Sequence, residues 1–317
     1  MERRTFLASA GIGLVTAAAG CTSQATSGGE PETDLDTTTT SSDARPGTKP
    51  MSEQTLIDAG DTAERTIGGA SLDERGLRTP HHVGFENSTE ETHQGTITVS
   101  KANETVFEES VELEANASIV ASLTDLDSYT TRVSVPELDV TEEVAIDPNQ
   151  FTCNVTRTMV SLQEDRTLDS TSISTRMACP GVVTETVPAD ERMSHTLGND
   201  SSPADPGESN HSLVLRNASG ESWTTRVLIE DDSTAQFDGV YTVEPKGSVL
   251  VTFSESGTYT LSMDVLETGA TVTEQVTPEK FDCNESSTQV EIDATGELTA
   301  NTLSTLMACN AEINTPS

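Results

Sequence analysis

Four of the five cysteines in this chain stand in matched surroundings. "FTCN" at 151–154 and "FDCN" at 281–284 are each followed, at equal distance, by "MAC", at Met177–Cys179 and Met307–Cys309. Thiolates bind metals, act as nucleophiles or join as disulfides. Structural zinc favours a CxxC spacing, and no cysteine here has it. A blue-copper centre needs two histidines, a thiolate and an axial methionine clustered on one loop. Here the methionine precedes cysteine by two residues, no histidine closely follows either "MAC", and His82 has no counterpart in the second set. The midpoints of the two segments are Arg166 in "EDRT" and Gly296 in "DATGE", both turn-like. Folded there, each segment is a β-hairpin with its cysteines facing one another, where opposed Cα atoms lie about 4.5–5.5 Å apart. A disulfide bridges that distance. The spacing therefore predicts two clasps, Cys153–Cys179 and Cys283–Cys309, each contributing roughly 3 kcal/mol by restricting the unfolded chain.

Other side chains form no reactive pattern. There is no G-x-S-x-G, no HExxH and no phosphate-binding glycine loop. His81, His93, His195 and His211 have no neighbouring nucleophile or ligand pattern, and they are expected as exposed strand-end residues. The acidic pairs Glu142–Glu143 and Asp231–Asp232 could hold calcium, but in so acidic a chain they read as solvated charges. Trp223, the single tryptophan, stands where the first copy has His93 and reads as core or edge packing. No catalytic residue, cofactor or metal site is expected. Acceptor sequons N-x-S/T begin at Asn87, Asn103, Asn116, Asn154, Asn199, Asn210, Asn217 and Asn284, candidates for N-glycosylation. Asn87 matches Asn217, and Asn154 matches Asn284; such matched asparagines can also be turn residues kept for local side-chain hydrogen bonds.

The elements that carry these residues come from a duplication. From His81 the chain repeats at an offset of 130 residues, His81 lying over His211, without a gap as far as Cys179. "SYTTRVSVPE" lies over "TYTLSMDVLE", and "STRMAC" over "STLMAC". Short runs rich in Val, Ile, Thr and Tyr alternate with polar residues: "GTITVS", "ASIVASL", "YTTRVSV" and "EEVAI", then "TTRVLIE", "SVLVTF", "YTLSMDV" and "STQVEI". Turn clusters such as "SKANE", "EDDS" and "SESG" separate them at sandwich-like spacing, and no stretch sustains a helical period. The expected fold is all-β: two tandem immunoglobulin-like β-sandwiches at 61–180 and 181–310. Residues 51–80 are ambiguous, with "LIDAG" and "TIGGASL" able to supply a first strand.

Lys plus Arg total 17 against 53 Asp plus Glu, a net charge of -36. Such a polyanion repels nucleic acid and anionic lipid, so nucleic acid is excluded as a partner. Carboxylate repulsion opposes compaction, but at molar salt the Debye length falls to about 3 Å and the cost largely disappears. A disordered acidic protein is the plainer alternative at 3% aromatics; the scattering of carboxylates between β-branched residues favours a folded protein adapted to high salt.

The first residues read "MERRTFLASAGIGLVTAAAGC". Arg3 and Arg4 precede an uncharged apolar run too short to span a membrane, the form of a signal-peptide core at 1–20. "RRTFL" resembles the twin-arginine export motif, and "AAGC" resembles a lipobox whose Cys21 becomes lipid-modified. Glu2 and Ala18 depart from the commoner residues of those motifs. A cleaved secretory signal with an incidental cysteine is the alternative. Residues 21–60, rich in Thr, Ser, Gly, Pro and Asp, read as a disordered tether. Taken together, "RRTFL…AAGC", the spacer and the acidic repeats resemble haloarchaeal twin-arginine-exported surface lipoproteins with tandem immunoglobulin-like domains. The resemblance implies a non-enzymatic binding or spacing module, lipid-anchored on the outer face of the cell membrane, with a surface protein or glycan as partner. An accessory subunit holding a solute or metal for an extracellular enzyme or transporter is the alternative.

Overall fold

The structure, a computed structural model, describes residues 54–69, 72, 76–198 and 208–305. Arg3, Arg4, Cys21, Asn199, Cys309 and most of the expected tether lie outside them. Twenty strands and three short 3₁₀ turns make up the described chain. The first ten strands are β1 (Thr55–Ile57), β2 (Thr62–Ile67), β3 (His81–Asn87), β4 (His93–Lys101), β5 (Glu104–Leu113), β6 (Ser118–Leu123), β7 (Tyr129–Val135), β8 (Val140–Ile146), β9 (Thr156–Leu162) and β10 (Leu168–Ser174). The second ten are β11 (Val182–Val187), β12 (Arg192–Leu197), β13 (His211–Asn217), β14 (Trp223–Asp231), β15 (Thr234–Val243), β16 (Ser248–Phe253), β17 (Tyr259–Val265), β18 (Thr271–Val276), β19 (Ser286–Ile292) and β20 (Leu298–Ser304).

The strands follow from period-two patterning. In "YTTRVSV" of β7 the Tyr, first Val and last Val are buried while Arg132 is exposed. The β4–β5 and β14–β15 hairpins close on two-residue loops, Ala102–Asn103 and Asp232–Ser233, all four with positive φ. That backbone matches the twist of the flanking strands.

Each set of ten strands builds two five-stranded sheets, in the orders β1-β5-β4-β7-β8 and β10-β9-β3-β6-β2, then β11-β15-β14-β17-β18 and β12-β16-β13-β19-β20. The second pair of orders repeats the first strand for strand. Within the second set one core joins both sheets: Val227, Leu261 and Met263 from one meet Leu213, Val251 and Val290 from the other. Phe85, Ile119 and Val160 likewise meet Ile97, Val111 and Val133 in the first. These are β-sandwiches.

Two boundaries differ from expectation. Residues 55–57 already form β1, so the tether expected to run to residue 60 stops short of it. The ambiguous segment 51–80 does more than supply a first strand: β1 pairs parallel with β5, and β2 crosses over to pair parallel with β6. One short segment thus borders both sheets. Residues 182–197 do the same through β11 and β12. The duplication therefore begins well before His81, in polar-rich strands with few apolar residues.

Candidate functional site

The β9–β10 hairpin turns at Gln163–Thr167, with Arg166 in left-handed conformation, and β19–β20 turns at Asp293–Glu297 through Gly296. Beyond the open end of the first hairpin, Cys153 and Cys179 are joined by a disulfide with Cα atoms 5.6 Å apart. Simple opposition does not explain it. The register pairs Thr156 with Ser174, and continued it would set Met177, not Cys179, opposite Cys153. Asn154 makes the adjustment. Its Oδ1 accepts from Met177 N at 2.8 Å and its Nδ2 donates to Met177 O at 3.2 Å, holding the departing strand in a path that returns Cys179 to its partner. Cys283 is also disulfide-bonded.

The histidines reverse the sequence expectation. His81 and His211 are buried, as is His93, because each begins a strand whose side chain turns into the sandwich. His81 Nδ1 lies 2.8 Å from Thr156 Oγ1 and Nε2 lies 3.1 Å from Thr158 Oγ1. Ser286 and Thr288 clamp His211 in the same way, at 2.7 and 3.0 Å. Thr156 and Ser286 spend their own protons on the carbonyls of Gln150 and Lys280. They must therefore accept from Nδ1–H, which leaves Nε2 as the acceptor. Burial pulls both imidazoles down to about 4, aided by the charge of His82 on His81 and of Lys280 on His211. Neutral, clamped at both nitrogens and packed against Phe151 or Phe281, these histidines hold the core together.

The matched sequons are also structural. Asn87 is fully buried, its Nδ2 donating to the carbonyls of Glu91, Leu113 and Glu114, its Oδ1 accepting from Thr89 N and Oγ1. Asn217 does the same with Glu221, Val243 and Ser219. The Ser or Thr of the sequon is here the partner of an Asx turn. Asn154 and Asn284 are buried as well, and Asn210 is half-buried. Four glycosylation candidates, Asn87, Asn154, Asn217 and Asn284, are thus closed to modification in the folded chain, while Asn103 and Asn116 lie exposed in left-handed turns.

Trp223 packs against the second core and donates from Nε1 to Ser219 Oγ at 3.0 Å, in keeping with a packing role. Asp231–Asp232 and Glu142–Glu143 do not converge with other ligands: among the described residues no group of three or more His, Cys, Asp or Glu could hold a metal.

Sequence reasoning missed the most strongly polar buried site. Asp238, on β15, receives four hydrogen bonds: Oδ1 from Arg78 Nε (3.1 Å) and Arg226 Nε (3.0 Å), Oδ2 from Arg226 Nη2 (2.7 Å) and Leu77 N (3.0 Å). Arg78 also donates to the carbonyls of Phe151, Val183 and Asp238. Burial alone would push the Asp238 carboxyl up, but Arg226 and Arg78 outweigh it and hold it below the usual carboxylate range. Burial pulls the Arg78 guanidinium down, with Asp238 opposing. Leu72 and Phe151 of the first sandwich pack with Val240 of the second around this cluster. The cluster is a junction: a side chain leading into the first sandwich is embedded in the outer face of the second. One signal was available, a carboxylate amid the apolar residues of "FDGVYTV".

Beside the junction lies a groove of about 340 Å³ lined by Ser128, Asp147 and Asn149 from the first sandwich and Thr184, Glu185 and Thr224 from the second.

No protein-family model and no curated protein matches this chain.

Proposed function

We propose that this chain is a non-enzymatic surface lipoprotein of a high-salt organism, anchored through Cys21, whose two immunoglobulin-like sandwiches act as one stiff body that spaces or presents a binding surface. The observation that carries it is the junction around Asp238. Three charged side chains are buried there to fix one sandwich on the other, and a flexible string of domains has no need of that. The disulfide at Cys153–Cys179 supports an oxidising compartment, hence export.

Support for the immunoglobulin-like assignment comes from Tyr129 and Tyr259. Each opens a strand, and its hydroxyl donates to the carbonyl four residues upstream, Asp125 at 3.1 Å and Glu255 at 3.0 Å, as in a tyrosine corner. The parallel pairs β1–β5, β2–β6 and β3–β9 depart from the antiparallel sheets of that fold, so the likeness is one of architecture.

The test is envelope fractionation in the source organism with intact-mass analysis. The expected product is a membrane-associated chain beginning at lipidated Cys21 with two disulfides, and Cys21→Ser is expected to release it to the medium. A chain that stays inside the cell with free thiols would sink the reading. The polar groove between the sandwiches favours a second reading, an accessory subunit that holds a small solute for an extracellular enzyme or transporter.

A further inference from the structure

The two sandwiches are copies, so each position in one has a control in the other. In the first, one ion pair links the two sheets and a second lies at the end of β4. Arg65 on β2 forms a two-pronged pair with Glu109 on β5, Nε–Oε2 at 2.8 Å and Nη2–Oε1 at 2.6 Å. Lys101, at the end of β4, pairs with Asp127. At the constant offset, the second sandwich has His195 for Arg65, Gly239 for Glu109, Asp231 for Lys101 and Gly257 for Asp127. Both resident cations and two of their carboxylates are gone.

What remains is a groove of about 360 Å³, lined among others by His195, Phe237, Tyr259, Asp231 and Glu255. The Tyr241 ring, where the first sandwich has Val111, takes the space of the lost Glu109. A Cβ at Gly239 would stand 2.5 Å from the Tyr241 ring and 2.7 Å from that of Phe237, and one at Gly257 would stand 3.0 Å from the Tyr259 ring. The His195 ring lies 5.4 Å from Phe237 and 5.7 Å from Tyr241, centroid to centroid. Its Nε2 is buried without a hydrogen bond, the nearest carboxylate being Glu185 at 3.8 Å. The Tyr241 hydroxyl is likewise buried and unpartnered.

Aromatic faces beside carboxylates attract cations, and a desolvated organic cation gains more from them than a tightly hydrated metal ion does. We propose that this groove binds a small organic ammonium ion, an alkylamine of a few carbons, where the first sandwich keeps the ammonium of its own Lys101. The first sandwich is the template: the same backbone, an aromatic pair at Phe107 and Tyr129, and a primary ammonium against a carboxylate. The inference depends neither on the lipid anchor nor on the spacing role.

Calorimetric titration of the full chain in molar potassium chloride with n-butylammonium, and with 1-butanol as its neutral isostere, tests it. Saturable one-site binding of butylammonium is expected, with butanol about tenfold weaker or worse. Asp231→Asn, a mild change at a strand end, is expected to weaken binding by a similar factor. Asp231→Lys with Gly257→Asp rebuilds the first sandwich's pair and is expected to abolish binding while Trp223 fluorescence stays native. Three results would overturn the proposal: no saturable binding above the potassium background, equal binding of butanol, or wild-type affinity in a folded rebuilt variant.

Discussion

Arg78 and Asp238, 160 residues apart in sequence, form an ion pair from which solvent is wholly excluded. Such a pair contributes little net stability against an apolar replacement, because desolvation offsets attraction. Its value is directional. A guanidinium that satisfies Asp238, Phe151 O and Val183 O together accepts one placement of the second sandwich against the first.

Breaking the cluster should therefore cost more than forming it contributes. Asp238→Asn leaves the buried Arg78 guanidinium without its counter-charge and is expected to destabilise by about 3–5 kcal/mol. Arg78→Met leaves Asp238 paired with Arg226 and should cost less. Denaturant titration followed by Trp223 fluorescence gives the order of the two. Small-angle scattering should show Asp238→Asn as the more extended particle. The reverse order would mean that Arg226 alone does not satisfy the carboxylate.

Stability should fall on mild acidification. His81 and His211 are held at about 4 against an unfolded value of 6.5. Between those values the unfolded chain binds more protons, so their contribution is fully present above pH 6.5, declines toward pH 4 and is constant below. Each imidazole can withdraw up to roughly 3 kcal/mol. Protonation of surface carboxylates relieves repulsion at lower pH and opposes the trend. The informative quantity is thus the difference between wild type and the His81→Gln, His211→Gln double variant. Melting temperatures from pH 7 to 4 should converge as the wild type loses its advantage; parallel curves would remove the histidines from the pH response.

Opening the first clasp should weaken the protein without unfolding it at high salt. Cys153→Ser with Cys179→Ser releases a loop of sequence separation 26 and is expected to cost roughly 3 kcal/mol. Asn154→Ala should act in the same direction, since Asn154 holds Met177 and the returning strand in place. Urea midpoints for the three chains, with and without reductant, make the comparison. A wild type insensitive to reductant would contradict a stabilising clasp.

Glycopeptide mapping of native protein should find no glycan on Asn87, Asn154, Asn217 or Asn284, leaving exposed Asn103 and Asn116 and half-buried Asn210 among the described sites. Asn87→Asp keeps the shape but removes the Nδ2 donor shared by the carbonyls of Glu91, Leu113 and Glu114, the Leu113 bond being buried. It should cost about 2–3 kcal/mol. A glycan on Asn87 in folded material would mean that the turn opens before or during export.

The strands that alternate strongly were legible from sequence, and "YTTRVSV", "SVLVTF" and "YTLSMDV" match β7, β16 and β17 residue for residue. So were the hairpin turns at Arg166 and Gly296 and the disulfide partner of Cys153. Each depends on a short stretch of chain: a period of two, a turn residue, or equal covalent spacing. The edge strands β1, β2, β11 and β12 were not legible in the same way, because a strand bordering a sheet buries few side chains and carries a weak pattern. Nor were the roles of His81, Asn87 and their counterparts. An imidazole at a strand end or an N-x-T triplet reads alike whether it faces water or the core, and only the sheet packed over it decides.

By itself, then, the sequence determined that two copies of an all-β unit exist and that the cysteine segments are built as hairpins. The tertiary structure alone decided that Arg78 meets Asp238, that matched asparagines and histidines are internal, and that Asp231, Phe237 and Tyr259 of the second copy line a common groove. These depend on which faces and loops meet across more than a hundred residues of chain. No local period encodes that meeting, because its free energy is collected only when desolvated charges and apolar side chains from distant segments arrive together.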